Sequence, residues 1–239
     1  MKNLQNKRIV IVGGTSGIGL TTATMLAAEG AEVIISGRDE AKLRQAIKES
    51  GASPLSQSVN ASDRNQLDSF FKSIGNFDHL IITVSGGKGA GAFKDLNLGD
   101  LHDGFEDKFW PQLNTLQSAL PYLSNTGSAT LITAVSATSG KPGFSGLAAI
   151  NGAIEIMIPV WAKELQPLRI NAISPGVIDT SWWNAFPADV KNNLFEQFAA
   201  ETPAGRNGKP EDIAKAIMFM IEQSFITGRV LQVDGGFGL

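Results

Sequence analysis

The chain has 239 residues, 43% hydrophobic and 18% charged, a composition that suits one well-filled globular domain and excludes a disordered chain. Its formal net charge of −3 offers no basic excess for nucleic acid or an acidic membrane surface. Cysteine is absent and His79 and His102 are the only histidines, so disulfides, a thiolate nucleophile and a multi-histidine site are excluded, and no metal is expected.

The start, MKNLQNKRIVIVGG, carries a short apolar run that breaks at paired glycines without a cleavage-like tail. No stretch approaches the uninterrupted apolar length of a membrane span, so the expected location is cytoplasmic. Arg8–Val12 is apolar on both faces, which suits a central parallel strand. Ile18–Ala28 has helical spacing, Glu32–Ser36 is a second strand, and Asp39 is placed to cap a charged helix through Glu49. Pro54–Val59 reads as a third strand, a helix follows from Asp63, and Asp78–Val84 is a fourth strand. The Gly/Ser stretch Ser85–Gly91 follows that strand, where ligand loops of such sheets lie. Asp100–Leu123 reads as one long helix that Pro111 must sit in or kink. Ser128–Val135 is a fifth strand, Ser145–Gln166 a second long helix, and Arg169–Ile173 a sixth strand. Helices over Pro187–Ala200 and Pro210–Gln223 precede a last strand, Val230–Val233. Strand–helix alternation at this spacing predicts an α/β fold: a three-layer doubly wound parallel sheet of the Rossmann type, a single domain over residues 1–239.

Val12–Gly19 reads VGGTSGIG, leaving a strand and opening a helix. Gly13, Gly17 and Gly19 permit a tight turn and close backbone approach to a pyrophosphate. Thr15, Ser16 and Ile18 lie between them, and the helix start offers free N–H groups with a positive dipole end. A merely tight strand–helix turn is the plainer alternative. At the second strand's tip the sequence is Ser36-Gly37-Arg38, with no carboxylate for a ribose 2′-hydroxyl. A guanidinium there suits a 2′-phosphate, which favours NADP(H) over NAD(H) and outweighs a solvated surface cation.

On these motifs the chain resembles the short-chain dehydrogenases/reductases over essentially its whole length. VGGTSGIG is similar to that family's TGxxxGIG turn, with Val12 for its threonine. Asn60, followed by Ala61, stands where the family has an aspartate near the adenine. Ser85 and Gly86 fall where its NNAG motif ends, with Thr83 and Val84 for the two asparagines. Ile170–Thr180 (INAISPGVIDT) is close to its PGxxxT segment. There the resemblance implies that Pro175, Gly176 and Ile178 shape the nicotinamide pocket and Thr180 reaches the cofactor. Asn207–Ile213 and Thr227–Gly236 resemble its C-terminal section.

The family's chemistry rests on Ser, Tyr and Lys, with an Asn on the preceding helix; tyrosinate, its pKa lowered by the lysine, exchanges a proton with the substrate oxygen as hydride moves. Aligning the helix at Gly152-Ala153 puts Leu147 at the Tyr of YxxxK and Asn151 at its Lys. The single tyrosine, Tyr122, has Thr126 four residues on and is expected to serve packing. The Ser falls on Ala134 without gaps, or on Ser136 after a shift of two. The helix Asn falls near Lys108. Ser136, Lys108 and Asn151 are therefore the candidate catalytic residues. For Lys108, an inward ammonium that makes a proton path with Ser136 is weighed against a surface lysine; the buried stripe of Phe109 and Trp110 beside it favours the surface. His102 is expected to be solvated, His79 structural, and Asp179 a turn or cap residue.

Residues 181–206 form the expected substrate lid. Trp182, Trp183, Phe186, Phe195 and Phe198 there, and Phe93 after the glycine loop, point to an apolar or aromatic small-molecule substrate or to packing. The resemblance implies an atypical NADP(H)-dependent oxidoreductase of a small carbonyl or alcohol, weak or non-standard in activity. The alternative is a catalytically inactive NADP(H)-binding sensor or scaffold protein. The family's pairing through its two long helices implies a homodimer or homotetramer.

Overall fold

A computed structural model describes residues 4–239. In β1 (Arg8–Val12), Ile9 and Ile11 enter one hydrophobic core and Val10 and Val12 another, all four buried. Successive side chains of a strand point to opposite faces, so a strand apolar at every position must lie between two layers. The same alternation recurs in β2 (Glu32–Gly37) and β4 (Phe77–Ile82). With β5 (Leu123–Ile132), β6 (Arg169–Pro175) and the edge strands β3 (Gln57–Ser58) and β7 (Val230–Val233), they form a seven-stranded sheet in the order β3-β2-β1-β4-β5-β6-β7. Every pairing is parallel.

Helices α3 (Arg64–Ile74), α5 (Trp110–Ala119) and α6 (Ser145–Glu164) cover one face through Phe70, Phe71, Leu116, Ile154 and Ile158. Helices α1 (Gly17–Ala28), α2 (Glu40–Ser50) and α8 (Pro210–Glu222) cover the other through Leu26, Leu43 and Ile217. This is the expected three-layer doubly wound sheet. The chain leaves β1 towards β2 on one side and places β4 on the other. Helices starting from β1 and β4 therefore diverge, opening a crevice at the strands' C-terminal ends.

Local chemistry sets several boundaries. Asp39 accepts from Lys42 N at 2.9 Å and caps α2 as expected, and Asp63 accepts from Asn65 N and Gln66 N to cap α3. The third strand is shorter than Pro54–Val59. Pro54 has no N–H to give a ladder, and Ser56 N closes a turn on Ser53 O at 3.0 Å, so only Gln57 and Ser58 pair with β2.

The expected helix over Asp100–Leu123 is instead three pieces: α4 (Leu98–Gly104), a π-helical turn (Phe105–Phe109) and α5. Pro111 cannot donate to the carbonyl four residues back, and the widened turn before it absorbs that loss. Pro121 then stops the helix, and Leu123 already pairs with Phe77 as the start of β5. Tyr122 packs against the core as expected.

By length and composition α6 would suffice to cross a membrane, unlike the expectation for any stretch. In the fold its Ile150, Ile154 and Ile158, spaced by four, pack onto the sheet. Its other side leaves Ile156 75% and Val160 50% exposed, with Trp110 of α5 48% exposed. Beyond β6 lie a 3-10 turn (Ser181–Ala185) and α7 (Ala188–Glu201).

Candidate active site

The glycine turn between β1 and α1 is tied to β2, where Ser36 O accepts from Gly13 N and Gly14 N at 2.9 and 3.0 Å. Gly13 has φ +95, and a Cβ there would stand 2.6 Å from Thr83 Oγ1; a Cβ on Gly19 would stand 2.4 Å from Gly13 O. Space therefore excludes a side chain at both positions, and at Gly13 the backbone conformation does so as well. Thr83 Oγ1 donates to Gly13 O at 2.9 Å, so Thr83 braces the turn. Ser16 makes no side-chain cap and no acidic residue lies in the first turn of α1. The positive end of that helix is therefore left for an outside anion. A Cβ on Gly17 would lie 3.3 Å from Thr180, which places the turn opposite the segment after β6.

Thr15 packs against Gly37, beside the exposed Arg38 at the tip of β2. Asn60 Oδ1 accepts from Ser62 N at 3.1 Å, and Asn60 N donates to Gln66 Oε1 at 3.0 Å, so the residue is fixed by its own turn with buried Ala61 beside it. Gly86 packs on Asp107, next to the exposed Ser85. Gln112, fully buried, donates from Nε2 to Val84 O at 3.0 Å and to Ile132 O at 2.9 Å, clasping the ends of β4 and β5. No motif pointed to that glutamine.

Lys108 is not a surface residue. The π-helical turn shifts the helical register so that its side chain runs inward, 6% exposed, and Nζ donates to Thr133 O at 3.0 Å. Burial pushes the ammonium down to about 8, against the opposing pull of Glu155. Across β5, Asn151 Nδ2 donates to Ser136 Oγ at 3.1 Å and to Leu147 O at 2.9 Å. Both Asn151 and Ser136 are buried, and Asn151 Oδ1 has no partner among the described residues. Thr133 Oγ1 donates to Glu155 Oε1 at 2.6 Å. The end of β5 thus gathers Ser136, Asn151, Lys108 and Glu155, with the half-buried Leu147 one turn before Asn151. Thr133 and Glu155 were missed because neither belongs to a motif; only their position on the fold joins them to the others.

Pro175 ends β6, and Gly176 packs against Asp234. Ile178 bridges to Gly208, and Thr180 accepts from Trp182 N at 3.4 Å. Thr180 is the cap, whereas Asp179 forms an ion pair with Lys191 at 3.2 Å. Trp183 packs edge-on against Trp182 and Phe195 and tilted against Phe186 and Phe198, at centroid distances of 4.8 to 6.1 Å, and Trp182 lies over Gly87. Phe93 stays 76% exposed. A cavity of about 130 Å³ lies between Gly176–Ile178 and Val233–Gly235, and none of Ser136, Asn151, Leu147 or Lys108 lines it. His102 is exposed as expected. His79 is buried against Ser128 Oγ at 2.9 Å and held at about 4 by burial.

Residues 12–238 match the family profile described as enoyl-(acyl carrier protein) reductase. The chain belongs to the short-chain dehydrogenase/reductase family, a family of oxidoreductases that bind a nicotinamide cofactor. It is 31% identical over 255 residues to the 3-oxoacyl-(acyl-carrier-protein) reductase FabG of Thermotoga maritima, covering 98% of each chain. It is 27% identical over 257 residues to the 7alpha-hydroxysteroid dehydrogenase of Clostridium sardiniense, covering 100% of this chain and 96% of that one. A solved small-chain dehydrogenase in complex with NADPH superposes with a TM-score of 0.86 at 33% identity, covering 98% of this chain and 99% of that one.

Proposed function

We propose that this chain is an atypical NADP(H)-dependent oxidoreductase that interconverts a small carbonyl and its alcohol, with Lys108 as its proton carrier. The observation that carries this reading is the buried Lys108 ammonium held on Thr133 O at the end of β5, three residues before Ser136 of the Ser136–Asn151 pair. Leu147 and Asn151 are read as standing at the family's Tyr and Lys, and Leu147 cannot carry a proton.

The cradle fits a dinucleotide. The uncapped start of α1, with Gly13 and Gly17 at positive φ, suits a pyrophosphate. The exposed Arg38 suits a 2′-phosphate, which supports NADP(H) over NAD(H). Asn60 and Ala61 are assigned to the adenine side. Ser85, Gly86, Pro175, Gly176, Ile178 and Thr180 are assigned to the nicotinamide side. When bound, the cofactor supplies or accepts the hydride. Ser136 Oγ, which accepts from Asn151, keeps its own proton to donate to a substrate oxygen. A lysine near 8 carries a proton at neutral pH and releases it readily, which suits a general acid for an alkoxide. Trp182, Trp183 and Phe186, in the lid proposed at 181–206, suit an apolar or aromatic substrate. The exposed Ile156, Val160 and Trp110 are proposed as the face of a homodimer or homotetramer.

The test is loss of NADPH absorbance with a panel of aromatic and aliphatic ketones and aldehydes, alongside calorimetric titration of NADPH and NADH. Turnover above buffer with at least one carbonyl is expected. NADPH binding without turnover would instead favour the sensor or scaffold reading, for which Leu147 speaks. No binding of either nucleotide would remove both.

A further inference from the structure

The inner face of α6 carries a second polar residue that the family's motifs do not include. Glu155 follows Asn151 by four positions, so the two side chains lie one above the other on the face that meets the end of β5. Thr133 joins this face to Lys108: its hydroxyl donates to Glu155 Oε1 at 2.6 Å, while its carbonyl accepts from Lys108 Nζ at 3.0 Å. One residue therefore stands between a buried ammonium and a half-buried carboxylate and is bonded to each through a different atom. The hydroxyl thus gives the Glu155 side chain a hydrogen-bond donor that holds it at this spot.

The other charges around Lys108 do not take this place. On its own turn, Glu106 is exposed and Asp107 packs towards Gly86. On α4, Asp103 is paired with Lys88 of the glycine loop, Asp100 is exposed, and His102 is exposed. Helix α5 carries no charged residue. On α6, Lys163 and Glu164 lie at the far end of the helix.

We propose that Glu155 is a positioning residue that, through Thr133, seats the Lys108 ammonium at the end of β5 and keeps it charged until it gives up its proton. The role assigned to Lys108 rests on the oxidoreductase reading above. The physical cause is Coulombic. Inside a protein an ammonium stripped of water is favoured by a nearby carboxylate, and without one the neutral amine gains. Glu155 thus opposes the burial that lowers Lys108.

Heteronuclear NMR of the lysine Nζ and Cε signals tests this in the full chain, with Lys108 assigned from the signal missing in Lys108→Met. In Glu155→Gln the Lys108 midpoint is expected to fall by about one pH unit. Glu155→Asp, which keeps the charge, is expected to return most of that shift. The alkaline limb of the turnover profile moves down with the midpoint. An unchanged midpoint in Glu155→Gln overturns the proposal. So does an equal fall in Glu155→Asp, because packing rather than charge would then be the cause. A midpoint that falls as expected in a protein without carbonyl turnover supports the Glu155–Lys108 coupling and removes the oxidoreductase reading instead.

Discussion

Two cations of opposite setting carry the functional reading. Arg38 is exposed at a strand tip, and its place was legible because the glycine turn and the second strand fix it in any sheet of this kind. Lys108 was not legible. Its neighbours Phe109 and Trp110 argue for an outward lysine on a regular helix, and only the π-helical turn reverses that direction. Lys108→Met is expected to lower carbonyl reduction by about 10²–10⁴-fold while NADPH still binds, measured by steady-state kinetics and calorimetry. Arg38→Ala is expected to weaken NADPH roughly 10- to 100-fold and leave NADH unchanged, measured by the same titration. Equal losses for the two nucleotides would contradict a 2′-phosphate contact.

Elements differ in how much of their behaviour is local. The strand β1 and the caps Asp39 and Asp63 follow from alternation and short polar side chains next to a helix start. The pairing of β4 with β5 is different, since His79 meets Ser128 across residues far apart in the chain. Burial holds His79 at about 4, below the ordinary histidine value of 6.5. Between these values the unfolded chain binds a proton that the folded chain does not. Stability is therefore retained above pH 6.5 and falls as pH drops towards 4, by roughly 3 kcal/mol from this group. His79→Asn is expected to remove most of that slope in urea unfolding followed across the window. An identical slope in the variant would assign the acid loss to other groups.

On the scale of the whole molecule, β1 and β4 open the crevice to which the cofactor is assigned, because their connections diverge at one end of the sheet. Outside the sheet, Ile156 and Val160, four residues apart on α6, are both exposed, as is Trp110 of α5, and they are the residues proposed above for association. Ile156→Glu is expected to lower the mass measured by light scattering from that of an oligomer to that of a monomer, with unchanged circular dichroism. A monomeric wild type would end this reading of the face.

The sequence by itself determined the fold class and the glycine turn. Apolar alternation and glycine geometry act within a few residues, and their consequences do not depend on distant partners. Its single tyrosine, Tyr122, also had a local fate, since a proline-ended helix leaves it against the core. Only the tertiary structure decided the direction of Lys108 and its tie through Thr133 to Glu155, and joined Ser136 to Asn151. These contacts link helices and a strand far apart in the chain. The Lys108 contact also depends on one widened turn beside Pro111, whose effect on side-chain direction no residue pattern expresses.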